Sequence, residues 1–148
     1  RKKHFYIYAG VIAFCVWFAS GLFSASMQSS TILSEGFEAG GKTAYSPAHV
    51  TLGSRSWYMN EALNGNTLSE RKVGSYSARV RNTGTIKMNF DVASAGTFSV
   101  QHAKYGSDGS SNWELWKSTN GGSSWTKVGS TITTSSTSLT TASFTLNS

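Results

Sequence analysis

The side chains in this 148-residue chain that have the types and spacing to do chemistry point to binding rather than catalysis. Trp57, Tyr58 and Trp116 offer flat apolar rings with a polar edge, the surface that stacks on a sugar ring. Arg79 and Lys87 bring two cations toward one anion, such as a phosphate or an acidic sugar. Glu35, Glu38 and Asp108 supply the hard oxygens that calcium prefers, and calcium is the one cofactor they suggest. Glu35 and Glu38 stand three apart, which puts them on opposite faces of a strand and not side by side as an acid–base pair. His4, His49 and His102 are widely separated, and no HExxH, phosphate-loop, dinucleotide or nucleophile-elbow pattern occurs. The expectation is a chain with no catalytic site of its own.

The elements that must position these residues are strands. Ser and Thr together number 42, against one Cys, one Pro and 14% charged residues. A helical bundle, a disulfide framework and a cysteine zinc site each need residues this chain lacks. Around Asn82-Thr83-Gly84, Tyr76, Ala78 and Val80 alternate with polar residues on one side, as do Ile86, Met88, Phe90 and Val92 on the other. This reads as a hairpin turning at Gly84, with Val80 opposite Ile86 and Arg79 opposite Lys87. Thr97 to Tyr105 reads as a strand with Phe98 and Val100 facing in. Trp113 and Trp116 cannot share a strand face, so one belongs to the core. The turn Ser118-x-Asn120-x-Gly122-x-Ser124-Trp125 resembles the Asp-box hairpin, in which the Asp or Asn side chain ties the loop backbone and the aromatic packs beneath. Ser130 to Thr141 suits a polar edge strand, and Ala142, Phe144 and Leu146 alternate as a last one.

The first 26 residues differ in kind. Arg1-Lys2-Lys3 precede an apolar run from Phe5 to Phe23 and a small-residue exit at Ser24 and Ser26, the three parts of a secretory leader. The run is also long enough to cross a bilayer as a helix, so an uncleaved anchor competes. Either way the remainder is exported, secreted or held at the cell surface. Cys15 lies inside the run. Of the +6 net charge, three units belong to the head, so the exported part carries ten Lys and Arg against seven Asp and Glu. That is too mild a surface for dedicated nucleic-acid binding.

Glu35-Gly36-Phe37-Glu38, Gly41-Lys42-Thr43-Ala44-Tyr45, Ser56-Trp57-Tyr58, Ala62-Leu63-Asn64-Gly65, Arg71-Lys72-Val73-Gly74-Ser75, Ser77-Ala78-Arg79-Val80-Arg81-Asn82 and His102-Ala103-Lys104-Tyr105-Gly106 together resemble a β-sandwich module of exported Bacteroidetes proteins. That module is often found upstream of a DNA/RNA non-specific endonuclease domain, and is similar to jelly-roll adhesin and carbohydrate-binding modules. The resemblance implies an all-β antiparallel sandwich of jelly-roll type, preceded by an N-terminal hydrophobic helix. It divides the chain into a leader or anchor (1–26), a spacer (27–34) and a sandwich (35–148), with a final Asn- and Asp-rich strand absent. The endonuclease's histidine motif is also absent. The expected function is an accessory module binding a glycan or another cell-surface polymer; the alternative is a structural, adhesive or self-associating role. Membrane contact is expected only through the N-terminal segment.

Overall fold

The computed structural model describes the backbone of residues 2–9, 12–20, 30–93 and 95–146, and the side chains of 33–93 and 95–146. Eleven strands run through it: β1 (Lys2–Ala9), β2 (Ile12–Ser20), β3 (Ser30–Glu35), β4 (Ala48–Leu52), β5 (Arg55–Gly65), β6 (Ser77–Met88), β7 (Val92–Ala93), β8 (Thr97–Ala103), β9 (Ser111–Ser118), β10 (Thr126–Thr134) and β11 (Thr140–Thr145). No helix occurs among the described residues. Every pairing is antiparallel, and the chain is all-β with an arrangement consistent with a β-sandwich.

One arm is the succession β4-β5-β6-β1-β9-β10 and the other is β3-β2-β8-β11. They join at β6, against which β1 and β2 lie end to end. Period-two alternation decides what lies between the arms. Trp57 and Met59 on β5, Ile86 and Met88 on β6, Phe98 and Val100 on β8, and Trp113 and Leu115 on β9 are all buried. Trp113 from the first arm and Phe98 from the second both meet Phe144 edge to face, with centroids 5.8 and 6.3 Å away. Ala142, Phe144 and Leu146 are buried as their alternation predicts. Phe37, after β3, closes one side of the core against Trp57.

Of the apolar run from Phe5 to Phe23 expected to form a helix, residues 10–11 and 21–23 lie outside the described residues; the described backbone of the rest is extended, in β1 and β2, and paired within the sheets.

The hairpin expected at Gly84 is a correction. Ser77–Met88 is one continuous strand, and its two apolar halves pair in sequence with the two halves of β5, Ala62 with Val80 and Met59 with Ile86. Between them Glu61 alone faces Arg81 to Gly84, a bulge with Glu61 at φ 50° and Asn82 at φ 52°. The left-handed residue that suits a reversal serves equally in a bulge. Glu61 locks it, its Oε2 accepting from Arg81 Nε at 2.8 Å and Asn82 Nδ2 at 2.6 Å. A continuous strand also keeps Arg79 away from Lys87, avoiding the like-charge pair that the hairpin would create. Gly84 is needed for close approach: a Cβ there would stand 2.5 Å from Val80 Cγ1 and 2.8 Å from the Glu61 carbonyl. Gly84→Ala is expected to destabilise by about 1–3 kcal/mol, since backbone must move to admit the methyl. Urea unfolding checks this, and a midpoint within error of the parent would show that the bulge yields freely.

Candidate functional site: an aromatic and basic sheet face

Residues that alternate with the core form the outer face of the first arm. On β4, β5 and β6 the register places His49 opposite Tyr58 and Tyr58 opposite Lys87. It continues from Lys87 to Tyr6 on β1, from Tyr6 to Trp116 on β9 and from Trp116 to Lys127 on β10. One row across six strands therefore carries three aromatic positions, Tyr58, Tyr6 and Trp116, together with Lys87, Lys127 and His49. Tyr58 and Trp116 sit three strands apart, roughly 14 Å at the ordinary strand spacing.

Two patches on this row are built by side chains. In the first, the His49 and Tyr58 rings lie 5.1 Å apart, and Lys87 Nζ lies 5.2 Å from the Tyr58 centroid. Asn89 Nδ2 donates to His49 Nδ1 at 2.8 Å and to Ser56 Oγ at 2.9 Å, which fixes the imidazole. Among the described residues no carboxylate lies within ion-pair distance of Lys87. In the second, Trp116 Nε1 donates to Glu114 Oε2 at 3.2 Å. Glu114 Oε1 accepts from Lys127 Nζ and Thr131 Oγ1, both at 2.8 Å. Those two hydrogen bonds hold the Glu114 carboxyl below its ordinary range. Trp116 is half-buried and tethered at its edge, while Trp113 is in the core, so the two tryptophans divide as the strand period requires.

Other candidates stand elsewhere. Trp57 is 2% exposed and packs between Phe37 and Phe90, which corrects its assignment as a stacking surface: it and Tyr58 are consecutive on β5, and only one can face out. Arg79 and Lys87 face Leu63 and Tyr58, five positions apart on β5 and so about 17 Å, and share no site. Arg79 is spoken for: Nη2 pairs with Glu70 Oε1 at 2.6 Å, Nη1 donates to Tyr45 Oη at 3.3 Å, and the guanidinium covers the Tyr105 ring at 4.5 Å. Arg81 stacks on the other tyrosine, 3.7 Å from the Tyr45 centroid.

Two of the three acids expected to hold calcium, Glu35 and Glu38, have structural tasks. Glu35 Oε1 accepts from the Phe37 amide. Burial pushes the Glu35 carboxyl above its ordinary range, the Phe37 bond opposes this, and the Glu38 charge adds to it. Glu38 accepts from the amides of Ser75 at 2.8 Å and Tyr76 at 3.4 Å. Asp108 lies in the β8–β9 loop, its amide bonded to the Tyr105 carbonyl. No group of three His, Cys, Asp or Glu side chains stands together among the described residues.

Two features complete the chemistry. His102 is buried, with Nδ1 2.8 Å from Thr134 Oγ1 and its ring edge against Trp113; burial holds its pKa below the usual histidine value. The β9–β10 turn is tied by Asn120, whose Oδ1 accepts from the Ser124 amide at 3.0 Å and whose Nδ2 donates to Ser124 Oγ at 2.8 Å. Gly121 and Gly122 supply the left-handed bends at φ 69° and 87°. This turn holds β10, and with it Lys127, beside Trp116.

No family model, curated protein or solved structure matches this chain. The functional reading therefore rests on the geometry of the face.

His49, Asn89, Glu114 and Lys127 were missed as members of the face. His49 and Lys127 enter it through register across strands, and no local pattern marks them. Glu114 alone had a signal, two positions from Trp116 and so on the same strand face.

Proposed function

We propose that this chain is an exported, non-catalytic accessory module of jelly-roll type that binds a glycan along the outer face of the β4-β5-β6-β1-β9-β10 arm. The observation that carries the reading is the single register row from His49 to Lys127, in which Tyr58 stands beside Lys87 and Trp116 beside Lys127. Lys87, with no carboxylate within ion-pair distance among the described residues, favours an acidic sugar whose ring lies on Tyr58. The basic head and apolar run have the composition of an export signal, and the part of the run that forms β1 and β2 stays with the exported sheet. The Bacteroidetes module resemblance agrees with such a role.

Affinity electrophoresis through gels holding polygalacturonate or laminarin tests the binding reading. Retardation is expected in polygalacturonate, reduced about five- to tenfold by Tyr58→Ala and again by Trp116→Ala, as for a lost aromatic contact worth about 1–1.4 kcal/mol. Trp57→Phe, in the core, is expected to leave retardation unchanged. Migration that neither polymer alters, or that both face substitutions leave as it was, would overturn the glycan reading. Recovery of the protein from the medium or cell surface tests the export half, and confinement to the cytoplasm would sink it.

A further inference from the structure

Most large apolar side chains of the fold are hidden, Phe37, Leu52, Met59 and Leu115 completely or nearly so. Leu68, 95% exposed, and Val73, 61% exposed, are the large hydrophobics left open among the described residues, and both belong to the loop 66–76 between β5 and β6. Two such residues on one short loop are more than scattered surface exposure.

The loop is also fixed in shape. Lys72 Nζ donates to the Thr67 carbonyl at 2.8 Å, which draws together the residues that immediately precede Val73 and Leu68. Thr67 Oγ1 donates to Glu70 and accepts from the Ser69 amide. The Gly106 amide donates to the Ser69 carbonyl at 3.0 Å, and Glu38 holds the far end through the Ser75 and Tyr76 amides. Leu68 and Val73 are thus presented outward by a preformed frame, so docking costs little ordering entropy.

The charge of the loop narrows the partner. Its one acid, Glu70, has a fully buried side chain paired with Arg79, while its two cations, Arg71 and Lys72, are only partly buried. Glu38, which touches its far end, is occupied by the amides of Ser75 and Tyr76. An apolar tip with basic residues just behind it matches a bilayer whose headgroups are anionic, the apolar residues entering the acyl boundary and the cations meeting phosphate. We propose that the 66–76 loop is a membrane-docking tip that inserts Leu68 and Val73 into an anionic phospholipid surface.

The test is sedimentation of the full chain with vesicles of phosphatidylcholine alone and of phosphatidylcholine mixed with phosphatidylglycerol. The apolar N-terminal run is common to every variant, so the difference between variants is the reading. Leu68→Ser with Val73→Ser is expected to lower partitioning onto the mixed vesicles about tenfold or more, the exposed side chains no longer leaving water. Arg71→Gln with Lys72→Gln is expected to abolish the preference for the anionic mixture. Leu68→Trp is expected to add, over the emission of the parent's five tryptophans, a blue-shifted component that brominated lipid quenches. Equal partitioning of parent and Leu68→Ser/Val73→Ser protein, or an added Leu68→Trp component that stays unquenched, would overturn the proposal. So would parent protein that self-associates without vesicles while the double serine variant stays monomeric, because the loop would then dock on a second copy.

Discussion

Replacing Lys42 with methionine is expected to cost about 3 kcal/mol of unfolding free energy. Lys42 is 5% exposed, and its ammonium donates to three backbone carbonyls, those of Ala44, of Ser46 at 2.7 Å and of Ala62 at 2.7 Å. The surrounding segment already runs along the β5 edge, with the Asn64 amide on the Lys42 carbonyl and the Glu61 amide on the Tyr45 carbonyl, both at 2.8 Å. One cation therefore pins the 42–46 segment to the bulged end of β5. Each buried acceptor left alone costs about 1–3 kcal/mol. Part of that loss is returned because no ammonium need then be stripped of water. The same desolvation pulls the Lys42 pKa below its ordinary value, with the Glu61 charge opposing it. The expected fall in Tm is about 10 °C for a chain of this size. Lys42→Arg is expected to fail as a rescue, since a planar fork cannot aim at three carbonyls that converge on one atom. A thermal melt of Lys42→Met within a degree or two of the parent would show that the carbonyls find other donors.

Glu70→Ala carries the second large effect. The Glu70 side chain has no exposed surface, and the Arg79 side chain that it faces is 18% exposed. Removing one partner of a buried pair leaves the other charge uncompensated, at about 3–5 kcal/mol. The lower end, about 3 kcal/mol, applies because Arg79 keeps some access to water. Gly65 makes the arrangement possible: a Cβ there would stand 1.8 Å from Glu70 Oε1. Gly65→Ala is therefore expected to lose much of the same stability by displacing the carboxylate. Combining it with Glu70→Ala is expected to add less than the sum of the two. Additive losses in urea unfolding would dissociate Gly65 from the ion pair.

Much of this fold is legible in the residues themselves. The alternation of Ala78, Val80, Ile86 and Met88 names the buried face of β6 correctly even though the pairing inferred from it was a hairpin. The same period separates Trp113 from Trp116, and it could have separated Trp57 from Tyr58, two neighbours that cannot both face outward. The pattern around Asn120 anticipates the hydrogen bonds of the β9–β10 turn, because a short side chain tying its own loop is a local interaction. Lys42, Glu70 and Glu38 gave no such warning. Lys42 reaches the Ala62 carbonyl on β5, Glu70 meets Arg79 on β6 and Glu38 takes the amides of Ser75 and Tyr76, and no spacing along the chain encodes those encounters.

The amino-acid sequence by itself determined the strand class, the inward side chains and the locally tied turn, since each depends on steric and hydrogen-bonding preferences within a few residues. The tertiary structure alone decided which strands become neighbours. That choice turned Gly84 from a reversal into a bulge, separated Arg79 from Lys87, buried Trp57, and brought His49, Tyr58, Lys87, Trp116 and Lys127 into one row. The physical reason is that register is a property of the whole sheet: a strand's second edge is satisfied by whichever distant segment the shared core brings alongside it.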